Sequence, residues 1–392
     1  MSAEYDVLIV GAGPAGLAAG IELSRNGWQV LLIDKSAFPR DKVCGGFIGP
    51  ENKDVLNHYG VLDAMIARGA QKVTHIQLSA PGGKSVHVPL RYRGKDDFGL
   101  GFSRRNMDEL LLEEARRGGV TFLASAVIAE IARQDGFKDL ILKRTNGEHD
   151  SQVRIRHIIY ANGAGPVPQG SGSKLFGVAG LFDSCRDRGS DVIMHFIDQA
   201  HVGINAFEDG VFNVCYVIKD NLFKRCQGKY ERIWEHLMDS NPNLNTQMRS
   251  AKLVGKWKGV CIDLARPLRF FDGDAFYAGD AVGLIHPVAG GGISIALNSG
   301  IMLGLLLGHQ RPGLLDTSVI ARRYEAMWRM AFERSVMVSK WIGSLSHCAP
   351  VADILVKILK AREERVHQLF DVFHQPAFML PVRRTYEFHK NS

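Results

Sequence analysis

Three glycines near the N-terminus have the spacing of a turn that holds a diphosphate. Gly11, Gly13 and Gly16 form a G-x-G-x-x-G pattern. The first glycine of such a pattern permits a tight turn, the second lets a pyrophosphate approach the backbone, and the third lets a helix pack on its strand. Asp34 stands where an acidic group would accept hydrogen bonds from ribose hydroxyls and disfavour a 2′-phosphate. The pattern predicts a dinucleotide site without distinguishing NAD from FAD.

The elements that would position this turn are a strand, a helix and a second strand. Residues 5–10 and 28–34 are continuous apolar runs, and a helical pattern lies between them. Buried strands joined through a helix are typical of a βαβ unit in a parallel sheet. Alternating apolar and polar residues at 73–98 and 190–220 instead predict antiparallel strands. Residues 293–375 have mainly the pattern of amphipathic helix.

A segment after the alternating residues resembles a motif of one flavoprotein family. In "SRRNMDELLLEEARRGGV", Arg104, Met107 and Asp108 match the R-x-x-apolar-D pattern of flavoprotein hydroxylases and geranylgeranyl reductases. The resemblance implies that Arg104 contacts FAD and that Val127 meets the adenine. Taken by itself, the segment is equally compatible with an ordinary amphipathic helix that carries a surface arginine.

A second segment, "FYAGDAVGLIHPVAGGGISIALNSG", resembles the G-D motif of the same family. The resemblance implies that Asp280, after Gly279, binds the ribityl hydroxyl and that Pro287 lies beside the isoalloxazine ring. The amides around Gly292 and Ile293 would face flavin N1 and O2 at a helix N-terminus. With the glycine turn, these features predict FAD as the cofactor. Because the sequence has no second G-x-G-x-x-G, transiently bound NAD(P)H or a separate reductase would supply the electrons.

The loop "FPRDKVCGGFIGP" resembles the geranylgeranyl reductase branch of the family. The resemblance implies that Cys44 faces the substrate cavity as a reactive or proton-donating thiol, and a small buried residue between glycines is the alternative. His286 is the second catalytic candidate, as an acid or base near the flavin edge, and its alternative is a loop histidine that points away. Asn162 stands where aromatic hydroxylases have an aspartate, so it keeps the hydrogen bonding and loses the charge.

The predicted site therefore combines two catalytic candidates with a set of cofactor-binding residues. The catalytic candidates are Cys44 and His286. The predicted FAD-binding residues are Gly11, Gly13, Pro14, Ala15, Gly16, Asp34, Lys35, Arg40, Cys44, Gly45, Arg104, Val127, Asn162, Gly163, Gly279, Asp280, Pro287, Gly291, Gly292 and Ile293.

Cysteine spacing and charge restrict other functions. None of the six cysteines is in a C-x-x-C or zinc-type spacing, so we expect no metal site, free thiols and a cytoplasmic location. The net charge of +7 comes from Lys and Arg spread along the chain, which disfavours nucleic acid as a partner. The apolar stretch at about 293–308 is shorter than a membrane span and predicts a buried helix. Basic C-terminal helices allow at most peripheral membrane contact.

The predicted fold class is α/β, with a Rossmann-like FAD-binding domain of the para-hydroxybenzoate hydroxylase type, an antiparallel β-sheet substrate domain and a C-terminal helical region. The predicted bounds are 1–72, 99–170 and 255–312 for the discontinuous FAD-binding domain, 73–98 and 171–254 for the substrate domain, and 313–392 for the C-terminal helices.

The predicted function is that of a flavin monooxygenase, which hydroxylates an apolar or aromatic small molecule through a C4a-hydroperoxide. Three alternatives stay open: a geranylgeranyl-reductase-like enzyme that passes a hydride from flavin N5 to a carbon–carbon double bond, a flavin-dependent halogenase, and a non-enzymatic or electron-transfer flavoprotein. The Y-x-W-x-F-P segment of the isoprenoid reductases and the W-x-W-x-I-P segment of the halogenases have no counterpart here. The substrate and the oligomeric state stay open.

Overall fold

The computed structural model describes residues 3–134, 136–165, 174–186 and 189–374. The strands are β1 (Ala3–Val10), β2 (Val30–Ile33), β3 (Phe47–Ile48), β4 (Gln71–Val73), β5 (His75–Ser79), β6 (Ser85–Pro89), β7 (Arg91–Tyr92), β8 (Lys95–Asp96), β9 (Gly99–Gly101), β10 (Thr121–Leu123), β11 (Ala126–Gln134), β12 (Phe137–Arg144), β13 (Ser151–Tyr160), β14 (Leu175–Phe182), β15 (Asp191–Ile197), β16 (Ala200–Ala206), β17 (Phe212–Lys219), β18 (Leu253–Ile262) and β19 (Ala275–Tyr277). The α-helices are α1 (Pro14–Arg25), α2 (Lys53–His58), α3 (Leu62–Ala67), α4 (Arg104–Arg117), α5 (Asp220–Arg225), α6 (Tyr230–Asp239), α7 (Pro242–Met248), α8 (Gly292–Gly308), α9 (Thr317–Ser346), α10 (Ala349–Ala361) and α11 (Glu364–Phe373). The other residues inside the predicted domain bounds, among them 166–173 and 375–392, lie outside the described residues.

The glycine turn lies at the end of a central strand in the first sheet. The order of that sheet is β10-β2-β1-β13-β12-β11, and β19 also pairs with β13. The pairs among β10, β2, β1, β13 and β19 are parallel, whereas β11 and β12 pair antiparallel. The run at 5–10 is continuously apolar because both faces of β1 are covered, with Val7 and Ile9 in one core and Leu8 in another. The predicted βαβ unit and the α/β class are confirmed.

A row of glycines on α8 lets that helix pack closely on α1. A Cβ on Gly300 would lie 2.1 Å from the carbonyl oxygen of Ala15, and one on Gly304 would lie 2.8 Å from Cβ of Glu22. These contacts advance together along both helices, so α8 runs parallel to α1. The first eight residues of α8 lie before Gly300, so its N-terminus extends about 12 Å beyond that of α1. The N-termini of α1 and α8 therefore point in the same direction, and they are offset along the helix axes.

The second sheet has the order β18-β14-β17-β16-β15-β5-β6. Its pairs are antiparallel except β5 with β15. Strand β16 shows the period of two: Val202 and Ile204 belong to the core on one face, and the alternate residues His201, Gly203 and Asn205 line a cavity on the other. The predicted boundary between residues 254 and 255 falls inside β18, which pairs with β14 along its length. The domain bounds as a whole stay a prediction.

The C-terminal helices cover the second face of this sheet. Ala352 and Val356 of α10 and Phe370 of α11 form one core with residues of β5, β6 and β15. Within the described ranges, no single helix is long and apolar enough to cross a membrane; α9 and α10 pass that test only as a pair, by length and composition, and they are bent by 116° at their junction.

Candidate active site

The glycine turn and the start of α1 form an open cradle between two guanidinium groups. A Cβ on Gly13 would lie 3.6 Å from Nη2 of Arg104 and 3.9 Å from Nη2 of Arg40. Gly13 precedes α1 without a side-chain cap, and Pro14 and Ala15 begin the helix with no acidic residue in its first turn. The free amides and the helix dipole favour an anion at this place. The cradle therefore has the charge and the open backbone that a diphosphate requires.

A buried carboxylate holds both arginines in position. Asp108 is fully buried and accepts hydrogen bonds from Nε and Nη2 of Arg104, both at 2.8 Å, and from Nη1 of Arg40 at 3.1 Å. Burial opposes the charge of Arg104, but the pair with Asp108 outweighs it and raises the pKa of the guanidinium. Asp108 acts on the cradle by positioning its cations.

Asp34 is engaged with the protein's own backbone. Its carboxylate accepts hydrogen bonds from the amide of Ala12 at 3.0 Å and from that of Ser36 at 2.9 Å, and Arg40 lies 3.3 Å from it. The amide of Ala126, the residue before the predicted adenine contact Val127, donates to the carbonyl oxygen of Asp34. Asp34 and Val127 are therefore brought to one edge of the site, beside the exposed Lys35.

Lys42 and Asp280 influence each other's charge beside the arginines, although Lys42 is exposed in the free chain. Desolvation of its ammonium group lowers the pKa of Lys42, and the neighbouring Arg104 and Arg40 lower it further. Burial raises the pKa of Asp280, while Lys42 and Arg104 act in the opposite direction. A Cβ on Gly163 would lie 3.9 Å from Nζ of Lys42, which places the loop of Asn162 and Gly163 beside the same ammonium group. The segments predicted to contact the cofactor therefore converge here.

The start of α8 leaves room for a flat ring. Gly291 precedes the helix without a side-chain cap, the first turn has no acidic residue, and a Cβ on Gly292 would meet nothing within 4 Å. The space beside Gly292 is therefore open, and the amides of this first helical turn have no acceptor within the helix. Gly279 has φ +64°, and its amide donates a hydrogen bond to Oγ of Ser299 on α8. Gly279 also approaches Ala15 of α1, so it connects the cradle at α1 with the start of α8.

The residues present fit FAD. The cationic cradle at α1 suits its diphosphate, Asp280 lies along the path between the two helix N-termini, and the open amides of α8 suit a ring that gains negative charge on reduction. The site thus defines a flavoprotein. A family model described as "FAD binding domain" matches residues 4–332. The chain belongs to that family and is an FAD-dependent oxidoreductase.

The relatives have more than one activity. Menaquinone reductase of Mycobacterium tuberculosis is 31% identical over 160 residues, which are 41% of this chain and 38% of that protein. A triple mutant of a flavin-dependent brominase has a TM-score of 0.80 and 17% identity, covering 99% of this chain and 100% of that one. A geranylgeranyl bacteriochlorophyll reductase-like protein of Thermoplasma acidophilum has a TM-score of 0.76 and 16% identity, covering 99% and 100%. The structural likenesses show the fold, and the predicted superfamily is confirmed.

An apolar cavity of about 180 Å³ adjoins the flavin end of the site. One wall is the inner face of the second sheet, for example Met194 and Val217, and another is the segment from Pro287 to Gly290. The third wall comes from the C-terminal helices, including Leu359 and Phe370. The amphipathic pattern of those helices indicated a buried face but gave no sign of what that face covers.

The cavity wall contains polar side chains that the sequence did not single out. Nδ1 of His374 lies 3.0 Å from Oε1 of Glu51, and both residues are buried. Nε2 of His374 would lie 3.8 Å from a Cβ on Gly290. This edge of the ring therefore faces the segment from Pro287 to Gly290, which we call the flavin loop. Among the described residues, Oε2 of Glu51 and both polar side-chain atoms of Asn205 are buried without a hydrogen-bond partner. Of these residues Asn205 lines the cavity, so its amide group is available to a ligand.

The two predicted catalytic residues lie at different places. Cys44 is half-buried, its Sγ accepts the amide of Gly46 at 3.4 Å, and its carbonyl oxygen, like that of the cavity-lining Gly45, accepts a hydrogen bond from Asn213. Nδ1 of His286 accepts the amide of Val288 at 3.2 Å. The structure therefore places Cys44 beside the cavity, and its catalytic role stays a prediction.

The ring of His286 packs away from the cavity wall. A Cβ on Gly343 of α9 would lie 2.3 Å from Nε2 of His286, and the rings of His201 and His347 are 5.7 and 5.5 Å away. Burial lowers the pKa of His286 to about 4. Burial also lowers the pKa of His347, to about 3, and the neighbouring His286 is a second cause of that shift. The catalytic role of His286 also stays a prediction.

A separate cluster of three polar side chains lies on the face of the second sheet that is turned away from the cavity. His75, His87 and Asp191 each place a ligand-type atom within 4.8 Å of the others. Nε2 of His87 and Oδ2 of Asp191 are hydrogen-bonded at 2.9 Å, and the two imidazoles stack. The adjacent Ile76 and Val192 line the cavity, so this group faces the other way. The expectation of no metal in the active site stays a prediction.

Proposed function

We propose that the protein uses reduced FAD to saturate a carbon–carbon double bond of an apolar molecule in the cavity. The observation that carries this proposal is the buried pair of His374 and Glu51, whose imidazole faces the flavin loop at Gly290. Reduction of a double bond needs a hydride for one carbon and a proton for the other. An imidazole supported by a carboxylate at the cavity wall can hold that proton.

The chain's own side chains account for the remaining steps. Reduced FAD, when bound, supplies the hydride. The apolar walls exclude water, and the unsatisfied amide of Asn205 orients a polar end of the substrate. His374 holds the proton at Nε2 while Glu51 accepts the hydrogen bond from Nδ1 and stabilises the charged ring. When Nε2 gives its proton to carbon, the neutral ring keeps its hydrogen on Nδ1.

Two similarities agree with reduction, although a brominase is also among the structural neighbours. One relative is named menaquinone reductase, and one structural neighbour is described as geranylgeranyl bacteriochlorophyll reductase-like. The loop that contains Cys44 resembles the reductase branch as well. Cys44 is therefore the second candidate for the proton donor.

Hydroxylation by a flavin monooxygenase is the second candidate function. The mainly apolar cavity favours it, because an apolar wall protects a reactive oxygen species from water. The two functions differ in what the substrate gains, namely two hydrogens in reduction and one oxygen in hydroxylation.

The test is a product mass measured on FAD-loaded protein that has been chemically reduced. The protein is mixed, with and without air, with a set of apolar molecules that contain isolated carbon–carbon double bonds, among them polyprenyl compounds. We expect a product heavier by two hydrogens without air, together with anaerobic reoxidation of the flavin. A product heavier by one oxygen, formed only in air, would replace reduction with hydroxylation. Flavin reoxidation by air alone, with no product, would overturn both.

A further inference from the structure

The outer side of the C-terminal helices exposes large apolar side chains. On α9 these are Met330, Met337, Trp341 and Leu345, which are 74%, 54%, 69% and 50% exposed, and on α10 they are Ile354 and Ile358, which are 58% and 43% exposed. We call these six residues the outer stripe. Their spacing is seven or four residues on α9 and four on α10, which places them on one face of each helix. A continuous face of this kind marks an interaction surface.

The same two helices also contribute to the cavity wall. Ile342, next to Trp341, and Leu355 and Leu359 on α10 belong to the cavity wall. Neighbouring residues on a helix lie about 100° apart, so the cavity wall and the outer stripe occupy adjacent faces of the same two helices.

The charge around the outer stripe is positive. Residues 330–362 contain five basic residues, Arg334, Lys340, Lys357, Lys360 and Arg362, against the two acidic residues Glu333 and Asp353. Asp353 accepts the amide of Gly82, and Glu333 is paired with Arg329, so both acids already have partners. Arg334 lies within the stripe of α9, and Lys357 adjoins Ile358. Apolar side chains flanked by cations complement a surface that is apolar inside and anionic outside.

We propose that the outer stripe docks on an anionic lipid bilayer and that the cavity takes its substrate, an apolar lipid, from that bilayer. The exposed tryptophan, methionines and isoleucines enter the headgroup–acyl boundary, and the lysines remain at the phosphates. The substrate then enters between α9, α10 and α11 without crossing water. The docking step rests on the exposed surface alone, whereas the choice of substrate rests on the proposed function.

Docking is measured by flotation with lipid vesicles, with no turnover required. FAD-loaded protein is mixed with vesicles of phosphatidylcholine alone or of phosphatidylcholine with 30% phosphatidylglycerol. We expect roughly tenfold more protein on the anionic vesicles and a loss of that excess at high salt. The fluorescence of Trp341 should be quenched by brominated lipids, and Trp341→Phe should remove that quenching.

Matched variants separate the outer stripe from apolar surface in general. Met337→Gln, Trp341→Gln and Ile354→Gln together should reduce vesicle binding at least tenfold, and Lys357→Gln with Lys360→Gln should remove the preference for anionic lipid. The control is Leu181→Gln with Val254→Gln on β14 and β18, which are 37% and 47% exposed and should leave binding unchanged. Flavin absorbance and the melting temperature show that each variant is folded and loaded.

Three results would overturn the docking proposal. They are no binding of the unchanged chain to anionic vesicles at low salt, equal binding of the triple variant, and a dimer that the triple variant abolishes while no vesicle binding occurs. The last result would assign the outer stripe to a second copy of the chain. Vesicle binding without any product in the reduction assay would instead sink the proposed function and leave docking intact. Equal turnover of a vesicle-embedded polyprenyl alkene before and after the triple change would contradict delivery from the bilayer.

Discussion

Arg104 and Asp108 form a bidentate ion pair one helical turn apart, with both hydrogen bonds at 2.8 Å and the carboxylate fully buried. The same carboxylate also accepts a hydrogen bond from Arg40, which comes from the loop after β2. One anion therefore fixes two cations from distant segments beside Gly13. The relationship explains how a loop and a helix that are separated in sequence present a single phosphate cradle.

Replacing this anion should affect both stability and cofactor binding. Asp108→Asn leaves the guanidinium of Arg104 without its charge partner and leaves Arg40 with Asp34 alone. We expect the free chain to lose roughly 3 kcal/mol of unfolding free energy. FAD binding should weaken at least tenfold because Arg40 and Arg104 lose their fixed positions. The measurements are urea unfolding of the free chain and titration with FAD. A variant with unchanged FAD affinity would show that Asp108 has no positioning role.

Gly13 and Gly300 serve different purposes, namely space for the cofactor and close packing of two helices. A pair of variants can distinguish these purposes. Gly13→Ala places a Cβ 3.6 Å from the nearest guanidinium nitrogen, which the free chain accommodates, but it fills the space for a phosphate. We expect a melting temperature within a few degrees of the unchanged chain and at least tenfold weaker FAD binding. Gly300→Ala places its Cβ 2.1 Å from a backbone oxygen of α1 and should destabilise the free chain itself. Equal loss of stability in both variants would contradict this division.

Local sequence patterns predicted the cofactor end of the site, and long-range contacts determined the rest. The G-x-G-x-x-G turn could be predicted from its spacing, whereas Asp280 and the start of α8 were implied by the resemblance of one short segment to the family. Each of these features depends on residues close in sequence. The pair of Glu51 and His374 joins residues 323 positions apart, and neither belongs to a recognisable motif. The cavity wall likewise needs α10 and α11 to pack on β5 and β15, which no periodicity indicates.

The cluster of His201, His286 and His347 should make stability depend on pH. Burial lowers the pKa of His286 to about 4 and that of His347 to about 3, so the unfolded chain binds protons more readily than the folded chain does. The contribution to stability is complete above the unfolded value near 6.5 and decreases as the pH falls toward 4. His286 alone should account for about 3 kcal/mol over that window.

The measurement for this cluster is the unfolding free energy between pH 7 and pH 4. His286→Gln should flatten the pH dependence, whereas His149→Gln, at an exposed position, should leave it unchanged. Parallel curves for His286→Gln and the unchanged chain would mean that this imidazole does not stay neutral in the folded state.

The proton-donor role predicts a specific kinetic pattern for the pair at the cavity wall. Glu51→Gln keeps the size of the side chain and a hydrogen bond to the ring but removes the charge that supports a protonated His374. We expect the rate of anaerobic flavin reoxidation by substrate to fall roughly 10²- to 10⁴-fold for either Glu51→Gln or His374→Gln, with FAD affinity and KM little changed. Added imidazole should partly restore the rate of His374→Gly but not that of Cys44→Ser. A full loss of rate in Cys44→Ser, together with an unaffected His374→Gln, would transfer the donor role to the thiol, because the group whose removal blocks proton delivery must be the one that holds the proton.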